Sequence, residues 1–211
     1  MIENTIQIIH KENPVLLEKV IQDLQKTLAN KLSWLNYAFG RTYKLVQHRE
    51  DGGKFTYPAI YNGNGEYVSV MPNDNLGNFS WFDIYDPQEV NTLLQSRPQI
   101  TFEGALIFWY NLDTIYPDNS VLHTEEVKAE ILNLLTTPGI LTTNSTFKIT
   151  RIYERFENVY KDYMPERIYN NNAYSGEGIQ SIDKQFFMHP YACLRLEFSL
   201  TTKEPCQHYT R

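Results

Sequence analysis

The chain has 211 residues, 42 % of them apolar and 14 % aromatic, with 15 Tyr and 11 Phe, which is ample material for a core and excludes disorder of the chain as a whole. Its net charge is −6 and its basic residues are scattered, so it lacks the basic stripe of a protein that grips nucleic acid through phosphates. Two cysteines, Cys193 and Cys206, make no disulfide framework, and no apolar run is long enough to span a membrane.

The opening stretch MIENTIQIIHKENP has Glu3 early and neither a basic nor a long apolar region, so it reads as no signal peptide, with synthesis in a reducing cytoplasm expected. The first element is a long amphipathic helix. Asn13 is a candidate cap, Pro14 suits the first turn, and Gly40 follows the end. Leu17, Val20, Ile21, Leu24, Leu28, Leu32 and Leu35 recur at steps of three or four and form one apolar stripe. Short strand candidates follow: RTYKLVQH from Arg41, KFTYPAIY from Lys54, EYVSVM from Glu66 and FSWFDIY from Phe79. Asp51-Gly52-Gly53 and Asn62-Gly63-Asn64-Gly65 are hairpin signals, because Gly and Asn tolerate positive φ. Pro72 to Asn78 reads as a loop, and DPQEVNTLLQ from Asp86 as the capped start of a short helix.

ITFEGALIFWYNL, from Ile100, is apolar nearly throughout and reads as a strand buried on both faces. A second helix is expected over Thr124–Thr136, with Val127, Ile131, Leu134 and Leu135 inward and Pro138-Gly139 ending it. A third is expected from about Thr150 to Tyr163, although its β-branched start, TFKITRIY, also suits a strand. Residues 165–183 are polar and rich in Gly and Asn, a loop or arm. From Ala192 the chain alternates. Ala192, Leu194, Leu196, Phe198 and Leu200 point one way, toward the first helix; Cys193, Arg195, Glu197, Ser199 and Thr201 point to a wet face. The expected fold is one α+β domain, with a largely antiparallel sheet packed by the long N-terminal helix and two further helices.

Chemistry is sparse. The phosphate-loop, dinucleotide, zinc-protease and nucleophile-elbow motifs are absent, and the five histidines are dispersed. Cys206-x-His208 offers two metal ligands but reads as a polar tail. Asp83, Asp86 and Glu89 are the one acidic cluster, readable as acid–base groups or as turn and cap residues. His189-Pro190 reads as a turn before the last strand rather than as a catalytic histidine. The aromatic stretches NFSWFDIY and LIFWYNL lack the Lys and Arg of a base-stacking platform, which favours core or subunit contact. The sequons at Asn78 and Asn144 read as chance matches. No catalytic residue, cofactor or metal is expected.

The long N-terminal helix, the hairpins after it and the closing phrase IDKQFFMHPYACLRLEFSL resemble the neck proteins of tailed bacteriophages, the head–tail connector and tail-terminator group, including those of crAss-like phages of Bacteroidetes. The resemblance implies a structural virion protein without catalysis. It would form a sixfold or twelvefold ring of identical subunits between portal and tail proteins, through which DNA passes without sequence-specific binding. Such a ring joins two different patches on each subunit. The candidates are the hairpin of Asn62, Gly63, Asn64 and Gly65, the loop holding Asn75, an arm with Tyr169, Asn171 and Tyr174, and the pair Arg195 and Glu197. The other expectation is a monomeric binding or accessory domain that offers an aromatic surface to a peptide or small ligand.

Overall fold

The computed structural model describes residues 13–48, 54–63, 65–72, 76–92, 99–118, 121–141, 145–163 and 189–202. Their elements are α1 (Leu17–Lys31), β1 (Tyr37–His48), β2 (Lys54–Gly63), β3 (Glu66–Ser69), β4 (Phe79–Ile84), β5 (Glu89–Asn91) and β6 (Gln99–Asn111), followed by α2 (Leu112–Ile115), α3 (Thr124–Thr136), β7 (Ser145–Tyr153), α4 (Phe156–Val159) and β8 (Tyr191–Thr202). The strands make one sheet in the order β3-β2-β1-β4-β6-β8-β7, with β5 also on β6. Only β1 and β4 pair in parallel, so the fold is α+β with a largely antiparallel sheet, as the residue pattern suggests. Among the described residues the helices number four, and α2 and α4 are single turns.

The apolar stripe of α1 is buried as expected, but the helix is shorter than the stripe. Leu16, at φ 47°, interrupts the helical backbone, so α1 begins at Leu17 and neither Asn13 nor Pro14 opens it. It ends at Lys31, and Leu32 and Leu35 stay buried from the turn that follows. Gly40 is not a helix stop; it lies in β1, where the Gln25 carboxamide would come within 3.2 Å of an added Cβ. Gln25 Nε2 donates to Ala38 O at 2.9 Å, so a side chain at Gly40 would crowd the carboxamide that ties helix to strand.

β6 and β8 form the centre. They pair without a break from Ile100↔Thr202 to Asn111↔Tyr191. Leu194, Leu196, Phe198 and Leu200 face a core shared with α1 and α3. The opposite face of β8 is not wet. Cys193, Arg195 and Glu197 are buried there, beneath the segment 156–163, which joins Trp81, Trp109 and Ile107 in a second core. A sheet covered on both faces explains why β6 is apolar nearly throughout.

Two expected helices are strands instead. Residues 145–153 pair with β8, leaving only α4 of the helix expected to Tyr163, and Ile152 is exposed rather than inward. The β-branched residues of TFKITRIY fit a pleated edge, and a waiting partner strand settles the choice. Glu89–Asn91 is β5, not a helix start. β4 stops at Ile84, and β5 takes up the backbone groups on the same edge of β6.

The start of β4 is fastened by Asn78, whose side chain is buried. Its Nδ2 donates to Trp34 O at 3.0 Å and Thr114 Oγ1 at 2.9 Å, and its Oδ1 accepts from Asn111 N at 2.7 Å. These bonds tie together the exit from α1, the start of β4 and the end of β6. A glycan has no room at that sequon; Asn144 lies outside the described residues.

Candidate functional site

Two arrangements compete as the functional site: a buried charge network and an exposed tyrosine face. The network occupies the α4 side of the sheet. Arg195, wholly buried, donates from Nη1 to Val159 O at 2.9 Å and from Nη2 to the Tyr85 hydroxyl and to Asp162 Oδ2 at 3.0 Å. Glu197 Oε1 lies 3.8 Å from Arg195 Nε and accepts from Lys161 Nζ at 2.8 Å, while Arg151 Nη1 is 3.6 Å from its Oε2. Asp83 Oδ1 accepts from the Tyr163 hydroxyl at 3.0 Å. Burial raises the Asp83 carboxyl, against the lowering influence of that hydrogen bond, Lys44 and Arg195. Burial also raises the phenols of Tyr85 and Tyr163, so both stay neutral, Tyr85 accepting from Arg195 and Tyr163 donating to Asp83. These charges face one another and hold the segment 156–163 on the sheet.

Because its carboxyl sits above the ordinary 3.8, the folded protein binds the Asp83 proton more tightly than the unfolded chain does. Stability therefore falls as pH rises from about 4 through the raised value, because the unfolded chain loses that proton first. Asp83→Asn keeps an acceptor for Tyr163 and removes this decline. Its stability relative to wild type is expected to improve between pH 4 and pH 7, read as the shift in urea midpoint. An equal difference at both pH values would contradict a carboxyl raised by burial.

The acidic cluster of the sequence is not brought together: Asp83 is buried, whereas Asp86 and Glu89 are exposed. No group of three or more potential metal ligands occurs among the described residues. His189 Nε2 lies 3.2 Å from Asp113 Oδ1, a half-exposed pair at the turn into β8. His10, Cys206 and His208 lie outside the described residues, as does the Asp51-Gly52-Gly53 turn. The described groove, of about 500 Å³, opens between the end of α3 and the edge strand β7. Phe147 and Ile149 in its lining pack on the α1 and α3 core, so it lies across the sheet from the charge network.

Of the expected contact residues, Arg195 and Glu197 are overturned, because both are buried and paired within the subunit. Asn62 and Gly63 end β2, and Gly65 turns the hairpin at φ 81°, with open space where a Cβ would stand. Asn64, Asn75, Tyr169, Asn171, Tyr174 and the segment 165–183 lie outside the described residues.

The exposed tyrosine face lies on a part of the sheet that residue patterns pointed to only as strands. β1 pairs with β4 up to Arg41 and thereafter with β2 alone, through His48↔Lys54. Tyr43, Tyr61 and Tyr67 fall on one face, given the registers Tyr43↔Ala59 and Tyr61↔Tyr67. The Tyr67 ring lies 6.1 Å from Tyr43 and 5.3 Å from Tyr61, and the Arg41 guanidinium sits 5.5 Å over Tyr43. All three rings are nearly half exposed, and Val46 on the other face is 55 % exposed. The hairpin signals and the alternation of Tyr57, Ala59 and Tyr61 contain this face. Reading it out needed the register that aligns three strands.

No protein-family model, no curated protein and no solved structure matches this chain.

Proposed function

We propose that the protein is a structural subunit that assembles into a ring, in the manner of the phage neck proteins its sequence resembles, joining head to tail around the path of the DNA. The observation that carries the reading is the β1–β2 ribbon. From Lys44 to His48, β1 pairs only with β2 and is exposed except for the partly buried Leu45. A two-stranded ribbon open on both faces is marginal in water and gains stability by docking. Tyrosine suits such a surface, because its ring is buried on contact while its hydroxyl remains hydrogen-bonded. The net negative charge suits a wall that DNA passes without sticking.

A second reading, a monomeric binding domain, draws on the groove beside β7, since an extended peptide can add to a sheet edge. Lys148 and the bulge between Ile149 and Arg151 blunt that edge, which favours assembly. The native mass of the full chain, with negative-stain images at high concentration, tests the choice. Closed sixfold or twelvefold rings, formed alone or on a portal–tail complex, are expected. A monomer that also fails to bind such a complex overturns the ring and leaves the binding domain.

A further inference from the structure

We infer that the subunit contact is made between two unlike corners of the fold, with the β1–β2 ribbon of one copy seated on the shoulder before α3 of the next. The inference rests on the ring reading and specifies its interface.

The two corners match in chemistry. In sequence, β1 and β2 hold Arg41, Lys44 and Lys54 and no Asp or Glu, although the chain as a whole carries −6. Arg41 lies with the exposed Tyr43 and Tyr61 on one face of that ribbon, whereas the exposed Val46 and Lys44, whose ammonium sits 5.3 Å over the Tyr163 ring, are on the other. The shoulder is acidic and also apolar. Val121 and Leu122, 57 % and 62 % exposed, precede α3. α3 itself carries Glu125, Glu126 and Glu130 against the single base Lys128. Lys128 is already engaged, 2.6 Å from both Glu125 and Glu154. Glu126 lies 3.6 Å from the His123 ring and is half exposed. Apolar contact flanked by opposite charges gives both affinity and register.

One copy cannot bring these corners together. β2 and β7 lie five strand steps apart in the sheet order, roughly 24 Å at the usual strand spacing. The ribbon also points to the opposite end of the sheet. β1 starts level with Phe79 and Trp109 and runs away from them to His48. The first half of α3 is fastened at the starting end, where Glu130 accepts from Trp34 Nε1 at 2.9 Å and Lys128 reaches Glu154 at the end of β7. The patches are therefore diagonal and unlike, which suits a head-to-tail contact between two different surfaces.

Cross-linking between two single-cysteine proteins tests this contact. In a full-length Cys206→Ser background the remaining native thiol is Cys193, which burial makes unreactive by pushing its pKa up to about 12. Tyr43→Cys and Leu122→Cys are made separately, mixed under assembly conditions and oxidised. Cross-linked dimers are expected in the mixture at about tenfold or more over either protein alone. In parallel, Tyr43→Glu is expected to weaken association by about tenfold, and Glu126→Arg in the same chain to recover most of that loss. Self-cross-linking of the Tyr43→Cys protein overturns the inference in favour of a two-fold contact. Rings without the mixed cross-link, or unaffected by either charge change, overturn the inference but leave the ring reading standing. A protein whose native mass stays that of a monomer, with or without a portal–tail complex, overturns both.

Discussion

Replacing Arg195 with alanine is expected to cost about 3–5 kcal/mol of folding stability, measured as the loss in urea unfolding free energy at pH 7. The guanidinium is wholly buried and serves Val159 O, Tyr85 and Asp162 directly. Without it, a backbone carbonyl and a phenol in a dry site lose their partners, and Glu197 loses one of its three cations. A buried group left unpaired costs its full desolvation penalty, and that asymmetry makes removal expensive even where the intact pair adds little. Arg195→Met separates the causes. It restores most of the volume without the charge, so a cost close to that of alanine assigns the loss to hydrogen bonding. A much smaller cost assigns it to packing. A loss below about 1 kcal/mol for alanine would mean that the segment 156–163 does not depend on this side chain.

Trp81→Ala is expected to be comparably damaging, about 3–5 kcal/mol, with a local signature as well. Trp81 is fully buried on β4, and its ring lies 6.1 Å from Tyr160 and 5.6 Å from Tyr163. α4 is a single turn, too short to hold its own shape. It is ordered by Phe156, Val159, Tyr160 and Tyr163 sinking into the second core. Removing the indole opens a cavity beneath two of those four. Amides of 156–163 are therefore expected to exchange faster by a larger factor than those of β6 and β8 in the variant, read by hydrogen exchange. Trp81→Phe, which keeps an aromatic ring against both tyrosines, is expected to lose roughly half as much or less. Uniform acceleration across the sheet would show instead that α4 and the sheet open as one unit.

Both predictions concern the face of β8 that residue alternation assigns to water. Alternation reports which residues differ, not what covers them. Leu194, Leu196 and Phe198 are unambiguous because an aliphatic row has one destination. Arg195 and Glu197 are ambiguous because a paired charge tolerates either burial or solvent. The same holds for residues 145–153, where Ile149 and Ile152 fit a helix stripe or a strand equally well until β8 stands beside them.

The candidate contact surface was legible in pieces. The tyrosine excess, the Asn-Gly hairpin and the strand RTYKLVQH are visible in the residues. That Tyr43, Tyr61 and Tyr67 share a face depends on the register of two hairpins, and one residue of slip would send a tyrosine to the other side. The residue pattern marks only the apolar side of the helix over Thr124–Thr136; the acidic shoulder and the exposure of Val121 and Leu122 emerge from the tertiary structure.

By itself the sequence determined the α+β class, the apolar faces of α1, α3 and β8, and the double burial of β6. Each is a local periodicity, and local sterics and hydrophobic burial act on it directly. Only the tertiary structure decided that the charged face of β8 is dry, that residues 145–153 are an edge strand, and that the ribbon and the α3 shoulder stand at opposite corners. Those outcomes come from pairing between residues distant in the chain, where a partner's position, rather than a residue's own preference, sets the lowest free energy.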